Sequence, residues 1–165
     1  MRTPRGCRAA AGELSQALVS VARVPAHTDP NDRARRRDPR RALGRLGEDV
    51  AAAHLERLGF RVLARNVRTR GGEIDVIAFD GHTLVFAEVK ARRAPARQRA
   101  IRPHQEPLRG LGAPQRARLR RLAAAWLREQ RGGLPYAREI RFDAFGVIFD
   151  GRGALRELQH IEAAW

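Results

Sequence analysis

Beyond residue 42 the apolar positions alternate between two periods, and the changes of period mark out seven elements. Leu43, Leu46, Val50 and Ala53, with Ala51, Leu55 and Leu58, recur at helical spacing before Gly59, a natural stop, so a helix is expected over 43–58. Phe60, Val62 and Ala64 then alternate with arginines, which predicts a strand over 60–67. Two further period-2 runs flank Asp80-Gly81, the turn signal of a hairpin. Helical spacing returns behind Pro114 at Leu119, Leu122, Ala123, Trp126 and Leu127, with Trp126 expected in the core. Strands over 139–149 and 155–161 follow, joined at Asp150-Gly151. The order α-β-β-β-α-β-β defines an α/β domain, a mixed central sheet flanked by helices, with no internal repeat.

The hairpin gathers the polar chemistry. Glu88 and Lys90 share one strand face, because successive side chains point to opposite sides. A two-residue turn would set Asp75 opposite Phe86 and diagonal to Glu88; a loop longer by two residues would set Asp75 opposite Glu88 itself. Either register brings Glu73, Asp75, Glu88 and Lys90 onto one surface. Like charges facing one another across a sheet repel, so three carboxylates call for compensation. A divalent cation such as Mg²⁺ (or Mn²⁺), held by carboxylates and substrate phosphate, is the usual answer. A solvated hairpin face with an ordinary surface ion pair at Lys90 is the plain alternative.

Composition sharpens this picture at one point. Lys90 is the only lysine, while every other basic residue is arginine. Arginine is a fixed fork of very high pKa; lysine is a compact charge suited to contact a phosphate or an attacking water. The formal charge of +15 points to a polyanionic partner, nucleic acid first among them. No apolar run approaches the ~18 residues of a membrane span. The single cysteine, Cys7, excludes an internal disulfide and has no metal-ligand spacing, which fits a reducing, cytoplasmic location.

Asp75 followed by Glu88-Val89-Lys90 resembles the acidic residue and E-x-K of the PD-(D/E)XK nuclease superfamily. More narrowly, the chain resembles the bacterial YraN-like family through Gly44-Arg45-Leu46-Gly47-Glu48, Gly59-Phe60, Arg65-Asn66, Gly72-Glu73-Ile74-Asp75, Phe86-Ala87-Glu88-Val89-Lys90 and Arg141-Phe142-Asp143. The blocks span about 42–165, and several in the right order are far more specific than E-x-K alone. The resemblance implies a restriction-endonuclease-like core and a metal-dependent nuclease. By that likeness Asp75, Glu88, the Val89 carbonyl and Glu73 would serve the metal. Glu48 would point to it from the first helix, and Lys90 would act on the water. It also suggests DNA over RNA, branched DNA by analogy, and a homodimer. The competing reading is a non-catalytic nucleic-acid-binding module of the same fold. A protein-interaction domain with incidental charge is a third.

Two stretches depart from the core pattern. Residues 1–40 read as a basic, disordered arm, either gripping a phosphate backbone or, as favoured here, an extension without a role. Glu13 and Gln16 break the apolar core a secretory signal would need. Residues 91–113 read as a mobile arginine-rich loop, unlike the shorter turn of the resembled family. Arg70, Arg92, Arg93 and Arg116 are the expected phosphate contacts. The resembled family commonly places a lysine near Gln115 or Arg116; it is absent here, leaving Gln115 as a weak substitute. Asp143 is read as structural, Asn66 as a turn or edge residue, and His54 as a surface or edge histidine.

Overall fold

A computed structural model describes residues 38–94, 106–130 and 136–165. It contains α1 (Pro39–Arg57), β1 (Arg61–Thr69), β2 (Gly72–Phe79), β3 (Thr83–Arg93), a 3₁₀ turn (Pro107–Gly110), α2 (Ala113–Glu129), β4 (Glu139–Phe149) and β5 (Leu155–Ile161). The order and the α/β class are those the periodicity predicts. The five strands form one sheet in chain order. All neighbours are antiparallel except β3 and β4, which run parallel over eleven registered pairs from Thr83↔Glu139 to Arg93↔Phe149. Parallel neighbours need a long crossover, and α2 lies within it.

The helices cover opposite faces. Ala51 and Leu55 of α1 pack on Val76, Val85, Ala87, Phe145 and Val147. Leu119, Leu122, Ala123 and Trp126 of α2 pack on Ile77, Phe79, Leu84 and Phe86. Trp126 meets Phe86 edge-on, 5.7 Å between centroids, and is buried as expected.

The helix start differs from expectation. α1 begins at Pro39, because the Asp38 carboxylate accepts the Arg40 N–H at 2.9 Å and Pro39 suits a first helical position. The last residues of the expected arm are therefore helical; the arm up to residue 37 lies outside the described residues.

The expected loop over 91–113 is also shorter than predicted. Ala91, Arg92 and Arg93 continue β3, held by the ladder to β4, and Ala94 N–H donates to the Phe149 carbonyl at 2.8 Å. At its other end Pro107–Gly110 folds onto the sheet at Gly146. A Cβ there would lie 3.2 Å from Leu108 and 3.4 Å from Pro107, a tight fit that a glycine relieves. Gly146 is the β4 partner of Lys90. The loop between, 95–105, falls outside the described residues.

Candidate active site

The β2–β3 connection sets the site. Asp80 Oδ1 accepts the N–H groups of His82 at 2.8 Å and Thr83 at 2.7 Å, and Gly81 has φ 104°. This bracing holds Phe79 opposite Leu84, the longer of the two loops considered. The register continues to Val76↔Ala87 and there the ladder ends. One step further it sets Asp75 against Glu88; two steps further, Ile74 against Val89. The Val89 N–H instead donates to Asp75 Oδ2 at 2.7 Å, so a side chain takes the place of a ladder carbonyl. A strand residue's N–H and C=O face the same neighbour, so the Val89 carbonyl also faces this gap.

On the other flank of Asp75 the β1–β2 register runs on past it, its one irregularity lying between Val62 and Ala64. β1 pairs Arg65 with Val76 and Val67 with Ile74. Asn66, between them, stands at the level of Asp75 with φ 52°. A single row across the sheet thus reads Asn66, Asp75, Glu88. α1 supplies Glu48 to it. Gly47 lets that helix sit close to β3, since a Cβ there would lie 2.8 Å from the Ala91 Cβ. Glu48, the next residue, is half-buried, and its Oε2 is buried with no hydrogen-bond partner.

The electrostatics follow from this crowding. Burial, then the neighbouring Glu88 charge, push the Asp75 carboxyl up to about 7, with Glu48 adding to the rise; the Val89 N–H and Lys90 oppose it. Burial also raises Glu48, against the Asn66 amide and the Arg65 charge, with Glu73 adding to the rise. Lys90 is ion-paired to Glu88. Lys90 and Glu88 are half-buried, whereas Glu73 is exposed.

An all-oxygen donor set of this kind suits Mg²⁺ or Mn²⁺, and the unpartnered Glu48 Oε2 is the mark of a site wanting a further partner. The chemistry fits, but the geometry is not preassembled: among the described residues no three acidic, histidine or cysteine side chains are grouped to hold an ion. Glu88 would have to turn from Lys90 to join Asp75.

Of the expected phosphate contacts, Arg70 is exposed in the β1–β2 turn, and Arg92 and Arg93 are exposed at the end of β3. Arg93 also reaches the Gly151 carbonyl at 3.5 Å. Arg116 is exposed too; its Nε donates to the Leu111 carbonyl at 3.1 Å and its guanidinium lies 5.9 Å from the Trp165 ring centroid. Gln115 is exposed in the first turn of α2. Periodicity gave no sign of Arg118. It lies on the bare α-carbon of Gly72, where a Cβ would meet its Nη2 at 2.0 Å, beside Glu73.

Asp143 sits in a buried polar network on the far side of β4 from β3. It is fully buried, takes both arms of the Arg141 guanidinium at 2.9 and 2.8 Å, and bonds His160 Nε2 at 2.9 Å. Burial pushes its pKa up, but the His160 and Arg141 bonds outweigh that and leave it lowered. His54 is half-buried at the edge of the core, with its ring edge-on to Phe145 and His160. The inward positions of β5, Arg156, Leu158 and His160, alternate with exposed ones, and that alternation is the signal that could have found His160.

Helices on both faces of a five-stranded mixed sheet define an α/β protein, with Asp75, Glu88 and the sole lysine near the end of the β2–β3 ladder. The chain belongs to Uncharacterised protein family UPF0102, whose profile matches residues 47–147 and so includes Glu48, Asp75, Glu88 and Lys90. A UPF0102 protein of Streptomyces griseus is 46% identical over 115 residues, covering 70% of this chain and 89% of the relative. One from Acidothermus cellulolyticus is 43% identical over 116 residues, 66% and 83% of the two chains. One from Pelotomaculum thermopropionicum is 40% identical over 130 residues, 78% and 98%. Among the described residues no helix is long and apolar enough to cross a membrane.

Proposed function

We propose that this chain is a Mg²⁺- or Mn²⁺-dependent nuclease that hydrolyses phosphodiester bonds, within the restriction-endonuclease-like superfamily. The observation that carries the reading is the row at Asp75. Carboxylates from α1, β2 and β3 approach one another closely enough to perturb Asp75, beside the chain's only lysine.

Asp75, Glu88 and the Val89 carbonyl would hold the cation, with Glu48 and Glu73 on a second ion or a bridging water. A bound divalent ion supplies Lewis-acid activation of water and offsets charge on the reacting phosphate. Lys90, released from Glu88 in that state, orients the attacking water and stabilises negative charge at phosphorus. Asp75 keeps its place through the Val89 N–H. Arg70, Arg92 and Arg93 grip the backbone without reading sequence. The preferred substrate is DNA, branched DNA by analogy with the superfamily, cut by a homodimer in the cytoplasm.

The closed Glu88–Lys90 pair favours one other reading, a non-catalytic nucleic-acid-binding module of the same fold, in DNA repair, recombination or RNA processing. The test separates them. Duplex, single-stranded, flap and four-way-junction DNA, and RNA, are incubated with Mg²⁺ or Mn²⁺ and either the wild type or a Glu88→Ala, Lys90→Ala double variant. Cutting that vanishes in the variant is the expected result. Tight, Mg²⁺-indifferent binding by both, without cutting, selects the binding module. Lys90→Ala alone should lower the rate by ~10²-fold or more while leaving substrate affinity largely intact.

A further inference from the structure

We infer that the outer face of α2 is a docking surface for the phosphate backbone of double-stranded nucleic acid; the inference rests on the nucleic-acid reading of the chain and names the form of strand it takes. α2 carries five arginines and a single acid, Glu129, at its last position. Its inner side gives Leu119, Leu122, Ala123 and Trp126 to the core. On the opposite side Arg116, Arg120, Ala124 and Arg128 recur every four residues as one row, with Arg121 beside it, and all are exposed. From Arg116 to Arg128 the row is about 18 Å long.

The helix does not neutralise this charge. Elsewhere Arg65 pairs with Asp49, and Arg141 with Asp143 and Glu162, but no ion pair among the described residues involves an arginine of α2. Like charges one turn apart on a helix repel, and the first turn holds no acid to suit the helix dipole. A face that works against its own helix fits an external polyanion. Its make-up selects which one. An acidic protein would need an apolar anchor at the centre of its interface, yet the exposed large apolar residues, Leu46, Tyr136 and Leu155 among them, all lie off α2. A single strand is held by aromatic rings on which its bases stack, and the one aromatic of α2, Trp126, is buried. Guanidinium forks in a straight row match a duplex, which carries one phosphate charge per ~1.7 Å of axis. Glu88 and Lys90 take the β3 face that carries Leu84 and Phe86, the face α2 covers. A duplex along α2 is thus held on the side of the sheet from which Lys90 acts.

The test uses the full chain in metal-free buffer, so that nothing is cut. Fluorescence anisotropy follows a blunt duplex two helical turns long, and a single strand of the same length, over a salt series. Wild type is compared with R120Q/R121Q/R128Q and with R57Q/R61Q/R138Q, which removes the same charge from exposed positions off α2. The α2 variant should flatten the duplex salt slope by about 2–3 units and weaken single-strand binding far less; the control should change the duplex slope by less than about one unit. R120K/R121K/R128K keeps the charge and should keep the slope. The α2 glutamine variant should melt at or above the wild-type temperature, since repulsion is relieved. A wild-type slope in that variant, or a loss no larger than the control's, overturns the inference and leaves the face to an acidic protein. Equal losses on duplex and single strand overturn the duplex class. A wild type that binds no duplex defeats the inference and the nucleic-acid reading together. A wild type that binds through α2 yet cuts nothing once Mg²⁺ is restored defeats only the nuclease.

Discussion

Two aspartates in this molecule carry opposite pH dependences. Asp75 titrates near 7 in the folded protein, well above its usual range, because of burial and the Glu88 charge. Over the window from about 4 to about 7 the folded state keeps a proton that the unfolded chain has lost, so this contribution is full below the unfolded pKa and falls as pH rises. Asp143, lowered by His160 and Arg141, contributes stability above the ordinary carboxylate pKa that is lost as pH falls through that range. In metal-free buffer Asp75→Asn should therefore flatten the decline in stability between pH 4 and 7. At pH 8 it should be more stable than the wild type by up to a few kcal/mol. Urea unfolding across that range measures it; a slope unchanged in the variant would assign the pH dependence to another group. Saturating Mg²⁺ should reverse the order, because it stabilises only the protein that binds it. The residue chemistry was partly legible beforehand. Asp75, Glu88 and Lys90 stand at sequence spacings that force proximity, whereas Arg118 and His160 meet partners on distant elements, which no local period reveals.

At the scale of elements, β4 and β5 were located to the residue: β5 alternates exposed and half-buried positions, whereas β4 is buried on both faces from Asp143 to Phe149 and reads as an apolar run between turn signals. The start of α1 was hidden: its first turn lies in an arginine run with no apolar period, and only the Asp38 cap marks it. The hairpin register was open between two values, and the two N–H bonds to Asp80 decide it. The approach of Pro107–Gly110 to Gly146 had no signal at all, since a glycine inside a strand reads equally as a bulge. That contact can be tested directly. Gly146→Val should force Pro107 and Leu108 away from the sheet, cost about 1–3 kcal/mol, and speed tryptic cleavage at Arg109. An unchanged urea midpoint together with unchanged cleavage would mean that the turn does not depend on this approach. Trp126→Ala, by contrast, should cost about 3–5 kcal/mol by emptying the space against Phe86. Its effect on Mn²⁺ affinity should be small wherever the protein remains folded.

For the whole molecule the dominant quantity is charge. A formal +15 on 165 residues makes binding to a polyanion strongly salt-dependent. The expected slope of log affinity against log salt is about −0.9 for each duplex phosphate contacted, so a grip on several phosphates gives a slope of several units. Arg70→Ala and Arg92→Ala should each make the slope shallower by about one unit if each meets one phosphate. A slope near zero would leave the charge incidental and favour a protein-interaction domain.

The parallel pairing of β3 with β4 has a consequence in time. Glu48, Asn66, Asp75, Glu88 and Lys90 all precede the crossover; Gly146, the strand partner of Lys90, and Trp165, stacked on Phe142, follow it. On the ribosome the reactive groups therefore emerge together, as a helix and a meander of neighbouring strands. The second flank of β3 is sealed only when the C-terminal third has been made. Until then β3 is an unpaired edge, and a nascent chain stalled before β4 would carry the carboxylates and the lysine on an unfinished sheet.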